Sequence, residues 1–180
     1  MSEVSKVIGK YVLRECLGSG AMGSVWLSSH PRLKLPVAVK VLSRSLARES
    51  SEYVERFIEE GRMAAAINHP NIIRIYDADH ERGYHFLVME YVDGCDVEKM
   101  AEARPGKCLP PEEVIELALK VSEALEEAKE LQIIHRDIKP ENILVTKNGK
   151  VKLADLGIAK RIGNKDNSVT ETGYSLGTPY

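Results

Sequence analysis

No stretch of the chain approaches the roughly twenty consecutive apolar residues of a membrane-spanning helix. Residues 1–10 lack the apolar core of a secretory signal. An excess of one charge is missing too: 25 Lys and Arg stand against 27 Asp and Glu, for a formal net charge of −2. A nucleic-acid surface needs a clustered basic excess, and the evenly spread Lys and Arg do not supply one. Cysteine is scarce: Cys16, Cys95 and Cys108 are odd in number and lack the paired spacing of a zinc site. Such thiols fit a reducing, cytoplasmic setting. Internal repeats and low-complexity tracts are also absent. What remains is ordinary globular composition, 43% hydrophobic and 29% charged, in 180 residues that can bury a real core.

The first half reads as strands. Tyr11 to Leu17, Ser24 to Ser28 and Val37 to Leu42 are β-rich runs punctuated by Gly, Ser and Pro. Pro31 and Pro36 exclude a helix in the second connection. From Ser51 to Ile67 the apolar residues recur at three and four, predicting a helix that ends at Asn68-His69-Pro70-Asn71. Two further apolar runs, Ile72 to Tyr76 and His85 to Tyr91, are joined by a polar turn at Asp79 to Gly83. After Pro110 the chain turns helical. Pro110-Pro111-Glu112-Glu113 places proline and carboxylates at a helix start, and Val114, Leu117, Ala118, Val121, Leu125, Ala128 and Leu131 form its apolar stripe. Asn148-Gly149, between Ile143-Leu144-Val145 and Val151-Lys152-Leu153, predicts a hairpin. A strand-rich half followed by a helical half implies two lobes joined near Glu90 to Asp96.

Four motifs carry chemistry. Gly18-Ser19-Gly20-Ala21-Met22-Gly23-Ser24-Val25 fits G-x-G-x-x-G-x-V, where backbone amides can approach phosphate oxygens. A dinucleotide-binding loop would need a helix next. Val25-Trp26-Leu27 reads as strand instead, so the segment is taken as a hairpin flap over a nucleotide. Val37-Ala38-Val39-Lys40 places a lysine in an apolar strand, costly unless it meets an anion; an edge strand facing water is the bland alternative. The predicted helix offers Glu55, Glu59 and Glu60 as partners. Last and most specific is His135-Arg136-Asp137-Ile138-Lys139-Pro140-Glu141-Asn142, followed by Asp155-Leu156-Gly157.

In this order the motifs resemble those of eukaryotic-type (Hanks-type) serine/threonine protein kinases of the bacterial kind, from about Tyr11 to Tyr180. The resemblance implies an α+β, protein-kinase-like two-lobe fold. Its N-lobe, residues 1–92, would hold a five-stranded antiparallel sheet plus one helix; residues 93–180 would form the hinge and an incomplete helical C-lobe. It implies ATP and Mg²⁺ as cofactors and a protein Ser/Thr hydroxyl as acceptor. Gly18, Gly20 and Gly23 would cover the phosphates, with Leu17, Val25 and Ala38 against the base. Lys40 would hold phosphate oxygens, paired with Glu60 by pattern and with Glu59 as the alternative. Met89 would border the adenine pocket, backbone groups of Glu90 and Val92 would bond the purine edge, and Asp96 would reach the ribose.

Asp137 would accept the substrate hydroxyl's proton, Lys139 would neutralise the transferring phosphoryl group, and Asn142 and Asp155 would hold Mg²⁺. His135 would be structural, packing near Leu156. Arg136 would pair with a phosphate on the segment bearing Ser168, Thr170, Thr172 and Ser175. Leu156 stands where many relatives have Phe. Gly177-Thr178-Pro179-Tyr180 resembles the family's G-T-x-x-Y run, with Thr178 near Asp137. Because later C-lobe helices are missing, the stripe from Val114 to Leu131 is expected to be partly exposed, and self-association or disorder after about Lys160 follows. Two other readings are a nucleotide-binding module without turnover and a small-molecule phosphotransferase. Lys139 and the Gly-Thr-Pro-Tyr ending argue against the second of these.

Overall fold

The computed structural model describes residues 6–155 and 160–161. The chain separates into two compact units: one holds the residues up to Ala66 together with Ile73–Asp93, the other Ile67–Ile72 with the residues from Gly94 onward.

The first unit is built on one antiparallel sheet. Its strands are β3 (Glu15–Gly20), β4 (Gly23–Ser29), β5 (Pro36–Leu42), β6 (Ile75–Glu81) and β7 (Tyr84–Glu90), in the order β3-β4-β5-β7-β6. A short hairpin, β1 (Lys6–Ile8) with β2 (Tyr11–Leu13), covers one face. Alternation along β5 and β7 explains the two faces. Val37, Val39, Val41, Phe86 and Val88 point one way and pack with Ile8, Tyr11 and Leu13. Leu42 and Leu87 point the other way and meet Phe57 of α2 (Ser51–Ala66). Lys40 shares that second face by parity. The helix buries Phe57, Glu60, Gly61 and Ala64, one stripe at helical spacing. Ser28 is fully buried because its hydroxyl donates to the Val12 carbonyl at 2.9 Å, tying β4 to β2.

Several expectations shift here. The run Tyr11 to Leu17 is two strands rather than one: Tyr11–Leu13 pairs with β1, and Glu15–Gly20 pairs with β4. The strand expected over Ile72 to Tyr76 begins at Ile75 and runs on to Glu81, so the turn contracts to Arg82 and Gly83. Asp77, Asp79 and Glu81 mask it in the sequence, because polar residues suit an edge strand with one side in water. A short helix, α1 (Arg44–Glu49), buries no residue and so leaves no apolar stripe to read.

In the second unit, α4 (Pro111–Glu130) is the longest element, starting at proline as its sequence predicts. It buries Val121, Ala124 and Ala128 and packs on β9 (Ile133–Ile134) and β11 (Val151–Leu153). Strand β10 (Ile143–Thr146) pairs with β11 across the Asn148-Gly149 turn, where Gly149 has φ +79°. On its other side β10 pairs with β8 (Gly94–Asp96), a strand too short to leave a periodic signal. Helix α3 (Val97–Glu102) follows directly. β12 (Lys160–Arg161) pairs with β9. The peptide before β6 belongs to this unit: Asn71 donates its Nδ2 to the Val151 carbonyl at 2.9 Å and accepts from Leu153 N–H at 2.7 Å. Val114, Ile115 and Leu119 of α4 are exposed. Among the described residues no helix is long and apolar enough to cross a membrane.

Candidate active site

Within the first unit, the glycine-rich segment is a β3–β4 hairpin. Ser19 lies opposite Ser24 and Gly20 opposite Gly23, with Ala21 and Met22 at the tip. Its glycines have different reasons. A Cβ on Gly23 would sit 2.0 Å from the Val41 carbonyl oxygen, so strand packing requires that glycine. A Cβ on Gly18 or Gly20 would meet nothing within 4 Å. Nothing in the packing of the described residues demands glycine at those two positions. Leu17 and Val25 are half-buried on the hairpin and Ala38 is buried on β5.

Lys40 lies on the interior strand β5, its backbone opposite Val25 on one side and Leu87 on the other. Its Nζ donates to Glu60 Oε1 at 2.8 Å, and the two side chains are 13% and 7% exposed. Glu55 and Glu59 point to solvent from the same helix. Glu60 Oε2 is buried with no hydrogen-bond partner among the described residues, an acceptor whose desolvation is uncompensated. Met89 is buried. The Glu90 amide is committed to the Arg74 carbonyl at 2.8 Å. Val92 is half-buried just beyond.

In the second unit, residues 135–142 form a tightly bonded loop. Asn142 is buried, and its Nδ2 donates to the Asp137 carbonyl at 2.8 Å and to Asp137 Oδ2 at 3.0 Å. Lys139 Nζ lies 3.3 Å from the same Oδ2. One oxygen of Asp137 is thus held by two donors. Asn142 is the last residue of a 3₁₀ turn, Pro140–Asn142, opened by proline. His135 is buried beneath: its Nδ1 accepts from Asp137 N–H at 3.3 Å, and its Nε2 meets the Ala154 carbonyl at 3.1 Å. With Nδ1 accepting, Nε2 carries the proton and the ring is neutral. Burial pushes the His135 pKa down, against the hydrogen bond to Ala154 and the charges of Asp137 and Asp155.

Ala154 N–H donates to the Asn142 carbonyl at 2.8 Å, so Asp155 begins where the two loops are joined. Arg136 and Asp155 are non-glycine residues at positive φ, +65° and +51°, backbone states that cost of order 1–3 kcal/mol and cluster at functional sites. Asn142 and Asp155 offer oxygen donors of the kind Mg²⁺ takes.

Asp96, expected near a ribose, also has a structural role. It is the N-cap of α3, its Oδ1 accepting from Lys99 N–H at 2.8 Å while Oδ2 meets Lys99 Nζ at 2.7 Å. Both oxygens are engaged within the chain. The motif Asp-x-x-Lys could have revealed this, since Asp is a preferred N-cap. Leu156, Gly157, Ser168, Thr170, Thr172, Ser175 and Gly177 to Tyr180 lie outside the described residues, as does the segment after Lys160 expected to be disordered, apart from Arg161.

This arrangement is that of a protein kinase domain, and the comparisons agree. The protein kinase domain family matches residues 11–179. A probable serine/threonine-protein kinase of Streptomyces coelicolor is 38% identical over 99% of this chain and 27% of its own length. Serine/threonine-protein kinase PknB of Mycolicibacterium smegmatis is 42% identical over 94% of the chain and 27% of its length. A double mutant of the PknI kinase domain of Mycobacterium tuberculosis superposes with a TM-score of 0.77 at 34% identity, covering 89% of this chain and 64% of that one. The chain belongs to the protein kinase domain family, and the curated relatives named here are bacterial serine/threonine kinases. It spans about a quarter of the length of those curated relatives.

Proposed function

We propose that this chain carries the catalytic machinery of an ATP-dependent serine/threonine protein kinase that transfers the γ-phosphate to a protein hydroxyl. The observation that supports this most strongly is the double hold on Asp137. Asn142 and Lys139 both engage Oδ2, which leaves Oδ1 to accept the proton of an incoming hydroxyl. A positioned base of this kind contributes about 10²–10⁴-fold. Lys139, 36% exposed at its side chain, would turn toward developing negative charge. Residues 1–92 would act as the nucleotide-handling lobe and residues 93–180 as the catalytic one.

Lys40, oriented by Glu60, would hold phosphate oxygens, and Gly18 and Gly20 leave open space where phosphate can approach the backbone. Mg²⁺, bound to ATP, would supply charge neutralisation on the phosphates; Asn142 and Asp155 would hold it. Leu17, Val25, Ala38 and Met89 would contact the base, with the Glu90 carbonyl and Val92 backbone at its edge. Arg136 would answer to phosphorylation among Ser168, Thr170, Thr172 and Ser175. The three exposed thiols suit a reducing compartment, and we place this region in the cytoplasm.

The exposed apolar residues Val114, Ile115 and Leu119 on α4 favour a second reading. In it the chain binds nucleotide without turnover, and two copies associate through that face. Intact-mass spectrometry after incubation with Mg-ATP, with Asp137→Asn and Lys40→Met alongside, separates the two. Phosphate on the parent alone supports catalysis, and equal phosphate on Asp137→Asn sinks the assignment of Asp137. No phosphate on any chain, with nucleotide still bound, supports the second reading.

A further inference from the structure

The Lys40–Glu60 pair lies beside a tight steric contact. Gly61 follows Glu60 on the buried stripe of α2, and Leu87 is the cross-strand partner of Lys40. Paired residues on adjacent strands project from the same face of a sheet. Leu87 therefore stands beside the Lys40 side chain, just as Gly61 stands beside Glu60. A Cβ on Gly61 would lie 2.6 Å from Leu87 Cδ2 and 3.2 Å from Leu87 Cδ1, the first of these inside any permitted carbon–carbon contact. Leu87 cannot swing aside freely, because it is 2% exposed and packed against Leu42 and Phe57. The absent Cβ is what lets this turn of α2 settle on β7.

We propose that Gly61 and Leu87 form a steric gauge that fixes how close α2 approaches the sheet, and so holds Glu60 within bonding distance of Lys40. Gly61 is a positioning residue, acting on the reaction through the ion pair. The gauge rests on the kinase reading only for its consequence in turnover; the geometry it sets is independent of that reading. Gly61→Ala adds one methyl at the contact. To relieve it, α2 must move away from β7 or Leu87 must displace Phe57, and either path strains the pair. Leu87→Val removes the two terminal methyl positions that a Cβ at position 61 would strike. The double variant Gly61→Ala/Leu87→Val therefore nearly conserves volume, the kind of swap a core tolerates best.

The test reads Lys40 directly. An amine-reactive acylating reagent, followed by peptide mass spectrometry, reports the acylation rate of Lys40 Nζ without nucleotide or turnover. Gly61→Ala is expected to raise that rate roughly tenfold, as over-packing of this size implies, and Gly61→Ala/Leu87→Val is expected to return it to the parent value. Leu13→Ala, in the core on the other face of the sheet, serves as a control that lowers the melting temperature without raising the Lys40 rate. Where the parent turns over, phosphoryl transfer should fall with Gly61→Ala and recover in the double variant.

An unchanged Lys40 rate in a folded Gly61→Ala protein would overturn the gauge. So would a double variant that stays fast or, like a collapsed Gly61→Ala, fails to fold. A parent that transfers no phosphate yet shows the expected labelling pattern would leave the gauge standing and count against catalysis alone.

Discussion

Replacing Asp96 separates the two bonds that its carboxylate makes to Lys99. Its Oδ1 caps α3 through Lys99 N–H and its Oδ2 meets the Lys99 ammonium. The cap is worth about 1 kcal/mol against alanine. The ion pair adds about 0.5 kcal/mol, discounted because the Lys99 side chain is 64% exposed and screened. Asp96→Asn keeps a capping oxygen and loses the charge, so it should cost only the second amount. Asp96→Ala loses both, about 1.5 kcal/mol, or roughly 3–6 °C for a protein of this size.

The specific assay is amide hydrogen exchange at Lys99, whose N–H the cap protects. Exchange should be about fivefold faster in Asp96→Ala than in Asp96→Asn, as 1 kcal/mol implies. Equal exchange in the two variants would refute the cap. The pH dependence has a definite sign. Burial alone would raise the Asp96 pKa, but the Lys99 ammonium and amide outweigh it and the net shift is downward. This contribution is present above about pH 4, the unfolded carboxylate value, and is lost as pH falls through the lower folded value. The penalty of Asp96→Asn should shrink in the same window.

Two further outcomes follow from the same kind of contact. His135 has a folded pKa below its unfolded value of about 6.5, so its stabilisation is complete above that pH and declines as pH drops toward the folded value. Protonating Nδ1 also breaks the bond from Asp137 N–H. Thermal melts from about pH 7.5 to 5, spanning the ordinary histidine range, should fall more steeply for the parent than for His135→Gln, and matching slopes would exclude His135 as the source. Gly23→Ala should destabilise the first unit by about 1–3 kcal/mol, because the new Cβ meets the Val41 carbonyl at 2.0 Å and backbone cannot step aside. Gly20→Ala, with nothing near it, should leave the melt unchanged.

What the chain reveals in advance depends on how local the signal is. The Asn148-Gly149 hairpin and the proline-led start of α4 are set by a few adjacent residues, and both are readable. The protein-kinase fold is readable from motif order, since each motif pins an element. β8 and α3 are not, because three strand residues and a six-residue helix leave no periodicity, and their support comes from pairing with β10 and from one capping aspartate. Periodicity along α2 does not choose among Glu55, Glu59 and Glu60. The stripe phase set by Phe57 and Ala64 turns Glu60 inward. Gly61 carries no signal of its own in the sequence, and its meaning exists only opposite Leu87, a residue of a distant strand.

Ala154 sits at the junction of the two loops. Its amide donates to the Asn142 carbonyl and its carbonyl meets His135 Nε2, so one peptide group on each side of a single residue binds the two loops. The side chain takes no part in either bond. Scanning mutagenesis, which replaces residues by alanine, is blind at a position that is already alanine, and a survey of this chain would score the junction as unimportant. Only an edit to the main chain reaches it. Exchanging the Ala154 amide for an ester, by chemical or suppressor-based synthesis, deletes one donor while leaving every side chain in place.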